Sequence, residues 1–213
     1  MRDQNIEAIK NYTKAIMLKD QTGHGMDHIN RVVRLANKIA DTEQCDHFVV
    51  IAAAYLHDTV DDKLVSDPED AYKQLSEFLA SLTISVSVVE RIIHIVENIS
   101  FSQTLTGTRE KLSIEGQIVQ DADRLDAMGA IGITRTIYYG GHKGNPIYDP
   151  KILPRTLQSK SEYRKDSTVI NHFYEKIIRL NTGLNTNYAK KIGQKRQVFL
   201  EEFLKEFMKE WNE

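Results

Sequence analysis

Residues 46–58 read DHFVVIAAAYLHD, and from Phe48 to Leu56 no side chain carries a charge. An apolar run of this length suits either a buried helix or a strand of a parallel sheet. Ala52, Ala53 and Ala54 decide between them, because alanine is the best helix former and a poor strand former. A helix that is apolar all round sits at the centre of a domain. His57 and Asp58 close it, so two ionisable groups lie beside a buried helix and require compensation.

Working outward, the periodicity on both sides is helical, and the fold class expected is all-α. Ile6, Ile9, Thr13, Ile16 and Met17 form one face of a first helix, and the GHG turn at 23–25 interrupts it. His28, Ile29, Val32, Val33, Leu35, Ala36 and Ile39 mark a second. Asp67 and Pro68 are an N-cap and first-turn proline for a fourth helix reaching about Leu82. Ser85 or Ser87 caps a fifth, with Val88, Val89, Ile92, Ile93, Val96 and Ile99 at helical spacing. A polar stretch from Ser100 to Lys111 precedes a sixth helix over Ser113–Met128, which GAIGITRTIYYGG extends or continues. Residues 140–167 show no period and read as a long loop. Helix returns over 168–211, with Ile170, Phe173, Tyr174, Ile177 and Ile178 on one element. Ile192, Phe199, Phe203 and Phe207 form an expected core stripe on another.

The chain has 213 residues, 28 basic against 30 acidic, and a net charge of −2. That length suits a single domain over 1–213, and the balance gives no electrostatic footprint for duplex nucleic acid. Cys45 is the only cysteine and has no intrachain partner. The opening segment MRDQNIEAIK lacks the apolar core of a signal peptide, and no apolar run reaches membrane-spanning length. A soluble cytoplasmic protein is the expectation, with homo-oligomerisation left open.

The chemistry begins at His57-Asp58, where cation coordination would compensate the burial and the helix carboxyl end adds a favourable negative field. The plain alternative is a helix-terminal histidine followed by a turn. His28 changes the balance. It lies on the neighbouring amphipathic helix, with Arg31 one turn further, so an imidazole suited to a metal adjoins a guanidinium suited to phosphate. In QDADRLDAMGAIG, Asp121, Asp123 and Asp126 crowd a segment otherwise built like a buried helix, and at least one should face inward. Asp61, Asp62 and Lys63 follow the HD pair so closely that the chain keeps them near it. A carboxylate there can orient or deprotonate water, and the lysine can neutralise a phosphate oxygen. A solvated turn is the competing reading. Residues 142–166 hold Lys143, Lys151, Arg155, Lys160, Arg164 and Lys165 against Asp149, Glu162 and Asp166, a basic loop that is either a lid over the site or solvated surface. Arg135, Tyr138 and Tyr139 adjoin it, and a tyrosine could stack on a base. The single cysteine excludes zinc-finger chemistry, and HExxH, GxxxxGK[ST] and GxSxG are all absent.

The order H…HD…D resembles the HD superfamily of metal-dependent phosphohydrolases. GHGMDHINRVVRLA, AAAYLHDTVDDK, QDADRLDAMGAIGITR, GNPIYDP and INHFYEKIIRL extend the likeness over nearly the whole chain, toward the YpgQ-like branch. The resemblance implies a helical bundle with one divalent ion and hydrolysis of nucleotide phosphoanhydrides, deoxynucleoside triphosphates leading. By motif, the metal ligands are His28, His57, Asp58 and Asp123, with Asp121 as the fallback, all within about 24–128. This mixed N/O set is compatible with Mg²⁺, Fe²⁺, Ni²⁺ or Zn²⁺, while its carboxylates and the resemblance favour Mn²⁺. Binuclear members use extra histidines between the HD pair and the last Asp, and here only His94 lies there, so one ion is expected.

Asp62, helped or replaced by Asp61, is the expected water-orienting residue, in keeping with the similar HD-T-V-E-D stretch of guanosine tetraphosphate hydrolases. Arg31, Lys63, His24, Lys143 and Arg155 are the substrate-contact candidates. Cleavage to a monophosphate and pyrophosphate is expected. The rival readings are a guanosine tetraphosphate hydrolase, another HD phosphatase or phosphodiesterase, and a non-catalytic nucleotide or metal sensor.

Overall fold

The structure of the protein, a computed structural model, describes residues 2–18, 20, 23, 25–61, 65, 67–100, 111–157, 159, 162, 165 and 167–213. It is all-α, and no strand occurs among the described residues. The helices are α1 (Arg2–Met17), α2 (Met26–Ala40), α3 (His47–Leu56), α4 (Pro68–Ser81), α5 (Val86–Asn98), α6 (Ile114–Asp126) and α7 (Gly129–His142). Then α8 (Val169–His172) passes through a π-helical stretch, Phe173–Ile177, into α9 (Ile178–Leu180) and a 3₁₀ turn, Asn181–Gly183. The last helix is α10 (Asn187–Trp211). None of these is long and apolar enough to cross a membrane.

Several helices start on a side-chain cap, whereas α5 follows Ser85 without a side-chain cap bond. The Asp46 carboxylate accepts from Phe48 N–H at the start of α3, and Asp67 accepts from Glu69 and Asp70 at the start of α4. The Ser113 hydroxyl accepts from Gly116 at the start of α6. Each such bond satisfies an amide that the helix itself leaves unpaired. As its composition requires, α3 is central and packs against α1, α2, α5 and α6. Ile29, Leu56, Ile118 and Leu125 are fully buried. Each contributes about 1.5–3 kcal/mol by leaving water, so the polar site rests on a close-packed apolar floor.

A second buried cluster joins Met128, Ile133, Ile170, Phe173, Leu200 and Leu204 from α7, α8 to the π stretch, and α10. Two sequence expectations need correction here. GAIGITRTIYYGG does not prolong α6. Gly129 has φ +69°, a left-handed conformation that breaks the helix, and a Cβ on Gly132 would lie 2.1 Å from the Ala127 carbonyl oxygen. The stripe on α10 holds at Ile192, Phe203 and Phe207, which are partly buried against the two core clusters, but not at Phe199, which is 49% exposed, while Gly193, Leu200 and Leu204 are buried on the same helix.

Candidate metal centre

Three helices converge on His28. It lies in the first turn of α2, fully buried. His57 is the C-cap of α3, and its Nδ1 lies 2.8 Å from the Ala54 carbonyl oxygen. That carbonyl can only accept, so His57 Nδ1 is the donor of this bond, and in the neutral ring Nε2 carries the lone pair. The two Nε2 atoms are 3.3 Å apart, with the rings inclined at 70°. Asp58 Oδ2 lies 3.3 Å from His28 Nε2 and 3.5 Å from His57 Nε2. Asp123 Oδ1, from α6, lies 3.7 and 3.9 Å from the same two nitrogens. Among the described residues, His28, His57 and Asp58 form a group whose donor atoms all fall within 4.8 Å of one another. Metal–ligand bonds of about 2.0–2.2 Å place neighbouring donors roughly 3–4 Å apart, so the set fits one cation.

The electrostatics agree. Burial alone would lower the His28 imidazole, but hydrogen bonds to Asp126 and Asp58 push it up to about 9. Burial alone would raise Asp126, but its bonds to His28 and Arg31 and the charges of His28 and Arg135 hold it well below the carboxylate range. The pocket therefore demands positive charge at His28 Nε2, which a proton or a metal ion can supply.

Asp121, the fallback ligand, faces elsewhere. Its carboxylate accepts from the backbone and side-chain nitrogens of Asn185 and from the backbone N–H and hydroxyl of Thr186, the N-cap of α10. Asp126 turns toward α2 and receives His28, Arg31 and Arg135. Sequence reasoning assigned Asp126 no role beyond crowding. The signal available was Arg31, three residues after His28, beside an excess of carboxylates in a buried helix.

The substrate-contact candidates scatter. Arg31 gives Nε and Nη2 to Asp126 and Nη1 to Asp27. Arg155 holds Glu175 in a bidentate pair, Nε to Oε1 and Nη2 to Oε2, both at 2.9 Å. Each fork thus has a carboxylate partner within the protein. Lys143 is at the end of α7 with Nζ 5.8 Å from the centroid of the Tyr139 ring, and Tyr138 is 58% exposed. Asp61 lies in the turn after α3, where its backbone N–H donates to the Asp58 carbonyl at 3.2 Å. Burial pushes the Tyr72 phenol on α4 up to about 12, and the charges of Glu97 and Asp61 add to that. His24, Asp62, Lys63, Lys160, Arg164 and Asp166 lie outside the described residues.

A cleft of about 340 Å³ bounded by Asp20, Asp27, Arg135 and Tyr138 adjoins the Asp126 network. A larger one of about 630 Å³, with Arg91, His94 and Lys111 in its wall, opens at the other end of α6. At 1.5 Å per residue, Ile114 and Asp123 are roughly 14 Å apart along the helix, so the larger cleft lies away from the metal donors.

Two histidines and two aspartates held by an all-α bundle define a metal-dependent hydrolase class, and comparison with known proteins agrees. A profile of the HD domain family matches residues 25–128. The chain is similar to a Lactobacillus plantarum protein of known crystal structure, with TM-score 0.91 and 41% identity over 98% of this chain and 97% of that one. It is similar to an HD-superfamily hydrolase from Bacillus thuringiensis, with TM-score 0.78 and 38% identity over 100% and 99% of the two chains. Bacillus subtilis (strain 168) YpgQ is 34% identical over 194 residues, 91% of this chain and 87% of the relative. The crystal structure of YpgQ in complex with ADP has TM-score 0.76 and 30% identity, over 99% of this chain and 97% of that one. The chain belongs to the HD domain family and is an HD-superfamily phosphohydrolase, a fold that binds divalent metal ions.

Proposed function

We propose that the protein is a nucleotide pyrophosphohydrolase that converts (deoxy)nucleoside triphosphates to monophosphate and pyrophosphate with one divalent ion, Mn²⁺ leading. The observation that supports the reading is the group formed by His28 Nε2, His57 Nε2 and Asp58 Oδ2, with Asp123 Oδ1 at 3.7 and 3.9 Å from the two nitrogens. The ADP complex of YpgQ supports a nucleotide as the ligand. When bound, a divalent ion supplies Lewis acidity toward a phosphoryl oxygen and lowers the pKa of water.

This chain's residues supply the rest. His28 and His57 present fixed lone pairs, because their Nδ1 atoms are engaged by Asp126 and by the Ala54 carbonyl. Asp58 and Asp123 supply the negative charge that a divalent cation requires, and their side chains are 16% and 37% exposed, so the site opens to water on the carboxylate side. Asp62, with Asp61 as helper or replacement, takes the role of orienting the attacking water, on the strength of position along the chain after Asp58. Lys63 and Lys143 are assigned to the phosphates. Attack at the α-phosphorus makes pyrophosphate the leaving group, whose charge a positive pocket stabilises.

The test is a digest of nucleoside and deoxynucleoside triphosphates with Mn²⁺ in ¹⁸O-water, followed by phosphorus NMR. Monophosphate and pyrophosphate without early orthophosphate is the expected result. Diphosphate with orthophosphate would overturn α-attack. Preferential turnover of guanosine tetraphosphate would move the substrate class, and tight nucleotide binding without turnover under any metal would make the protein a sensor.

A further inference from the structure

We propose that Asp126 is a positioning residue for His28, and that Arg31 and Arg135 serve the metal site through Asp126 instead of holding a substrate phosphate. The proposal rests on the reading of His28 as a metal ligand.

Asp126 is 2% exposed and accepts four hydrogen bonds. Oδ1 receives Arg31 Nε at 2.8 Å. Oδ2 receives His28 Nδ1 at 2.8 Å, Arg135 Nη1 at 3.0 Å and Arg31 Nη2 at 3.1 Å. Three of the four bonds come from guanidinium N–H groups, which can only donate, and both oxygens accept, so this carboxylate is ionised and has no proton to give. The proton of a neutral His28 must then sit on Nδ1. Nε2 is left as a lone pair aimed at the group formed by His57, Asp58 and Asp123.

The grip is two-sided. Asp123 and Asp126 are three residues apart on α6, and so share a face. Asp123 lies at the Nε2 edge of the His28 ring and Asp126 at its Nδ1 edge. One turn of α6 thereby brackets the imidazole and fixes both its tautomer and its rotation.

The two arginines complete this arrangement from different elements. Arg31 comes from α2, one turn after His28, and its remaining Nη1 donates to Asp27 at 2.8 Å. Arg135 comes from α7, and its Nε donates to the Gly23 carbonyl at 3.1 Å, fastening the segment that leads into α2. Diverting Arg31 to a phosphate would leave Asp126 under-satisfied in a buried position, which the protein interior penalises heavily. Removing a carboxylate that orients a metal-bound histidine typically costs about 10–100-fold in metal affinity.

The experiment measures Mn²⁺ affinity by chelator competition and the Mn²⁺ EPR line shape in Asp126→Asn, Asp126→Glu, Arg31→Lys and Arg135→Lys, with KM and kcat at saturating metal. Asp126→Asn should bind Mn²⁺ about 10–100-fold more weakly with an altered line shape. Arg31→Lys and Arg135→Lys should weaken metal binding by a smaller factor and leave the nucleotide KM unchanged. A merely structural role would lower the melting temperature and leave affinity and line shape as in the wild type, and that result overturns the proposal. So does a raised KM in Arg31→Lys with unchanged metal affinity, which returns Arg31 to the phosphate. If Asp126→Asn does not fold, Asp126→Glu, which keeps the charge and shifts the carboxylate, carries the same two outcomes. His28→Ala separates the parent reading: wild-type Mn²⁺ binding there removes His28 as a ligand, whereas loss there with no change in Asp126→Asn refutes positioning alone.

Discussion

Replacing Asp121 and Asp123 in turn separates a carboxylate that holds the fold from one that serves the site. Asp121 is fully buried, and its two oxygens accept four hydrogen bonds at 2.7–2.9 Å from Asn185 and Thr186. Bonds to a charged acceptor are worth about 1.5–3 kcal/mol each, but they share one carboxylate and do not add. Asp121→Ala also strands the Thr186 N–H, which is buried at the start of α10. Breaking a buried network of this kind costs about 3–5 kcal/mol, and in a chain of this size each kcal/mol lowers Tm by roughly 2–4 °C. The melting temperature in chelator should therefore fall by roughly 6–20 °C, while metal content measured in excess metal, well below the transition, stays near one per chain. Asp123→Ala should do the reverse. Its side chain is 37% exposed and faces the imidazoles, so metal is lost and the metal-free protein changes by less than about 1 kcal/mol. If Asp121→Ala lost its metal and kept wild-type stability, the division between the two residues would be wrong.

Chelation should lower the melting temperature of the wild type, since an ion at 100 times its Kd adds about 2.7 kcal/mol to the native state, and an unchanged Tm after verified metal removal would contradict this. Gly132→Ala should cost at least about 1–3 kcal/mol in urea titrations, because its Cβ would meet the Ala127 carbonyl oxygen at 2.1 Å. Gly141→Ala, with nothing within 4 Å, should be neutral or stabilising by up to about 1 kcal/mol, and equal effects would discount the close approach. Burial alone would raise Glu175, but hydrogen bonds and charge from Arg155 and a bond from Ser167 hold it below its ordinary 4.5. A depressed carboxyl stabilises fully above that ordinary value and loses the contribution as pH falls through the folded one. Glu175→Gln should thus be the less stable protein at neutral pH, with the gap to wild type narrowing in acid, and a gap independent of pH would refute the assignment.

His57 and Asp58 were legible because they interrupt an apolar helix, and the cost of burying them marks the place whatever the neighbours are. The cap at Asp67 was legible as local chemistry, whereas Ser85, also expected to cap, precedes α5 without a side-chain hydrogen bond. The direction in which each carboxylate of α6 points was not. Asp121 and Asp126 are five residues apart, about 140° around the helix, and both are buried, so hydrophobic period alone cannot say which one meets α2. The answer depends on where α2 and α10 dock. Phe199 was misplaced on similar grounds, because an apolar ring does not say which side of α10 the rest of the fold covers. Leu200 and Leu204 take the buried face, and Phe203 and Phe207 pack partly against the same cluster. The break before α7 needed the left-handed φ of Gly129, which a glycine permits but does not announce. At the site itself, α6 is committed on both sides. Asp121 ties it to α10, and Asp126 ties it to α2 and α7, so Asp123 is held between two anchored carboxylates and its distance to His28 is set by the packing of the fold. Metal affinity should accordingly be more sensitive to substitution of Asp126, the anchor that touches His28, than to buried apolar substitutions in α4 such as Leu75→Ala, which destabilise the chain without touching His28.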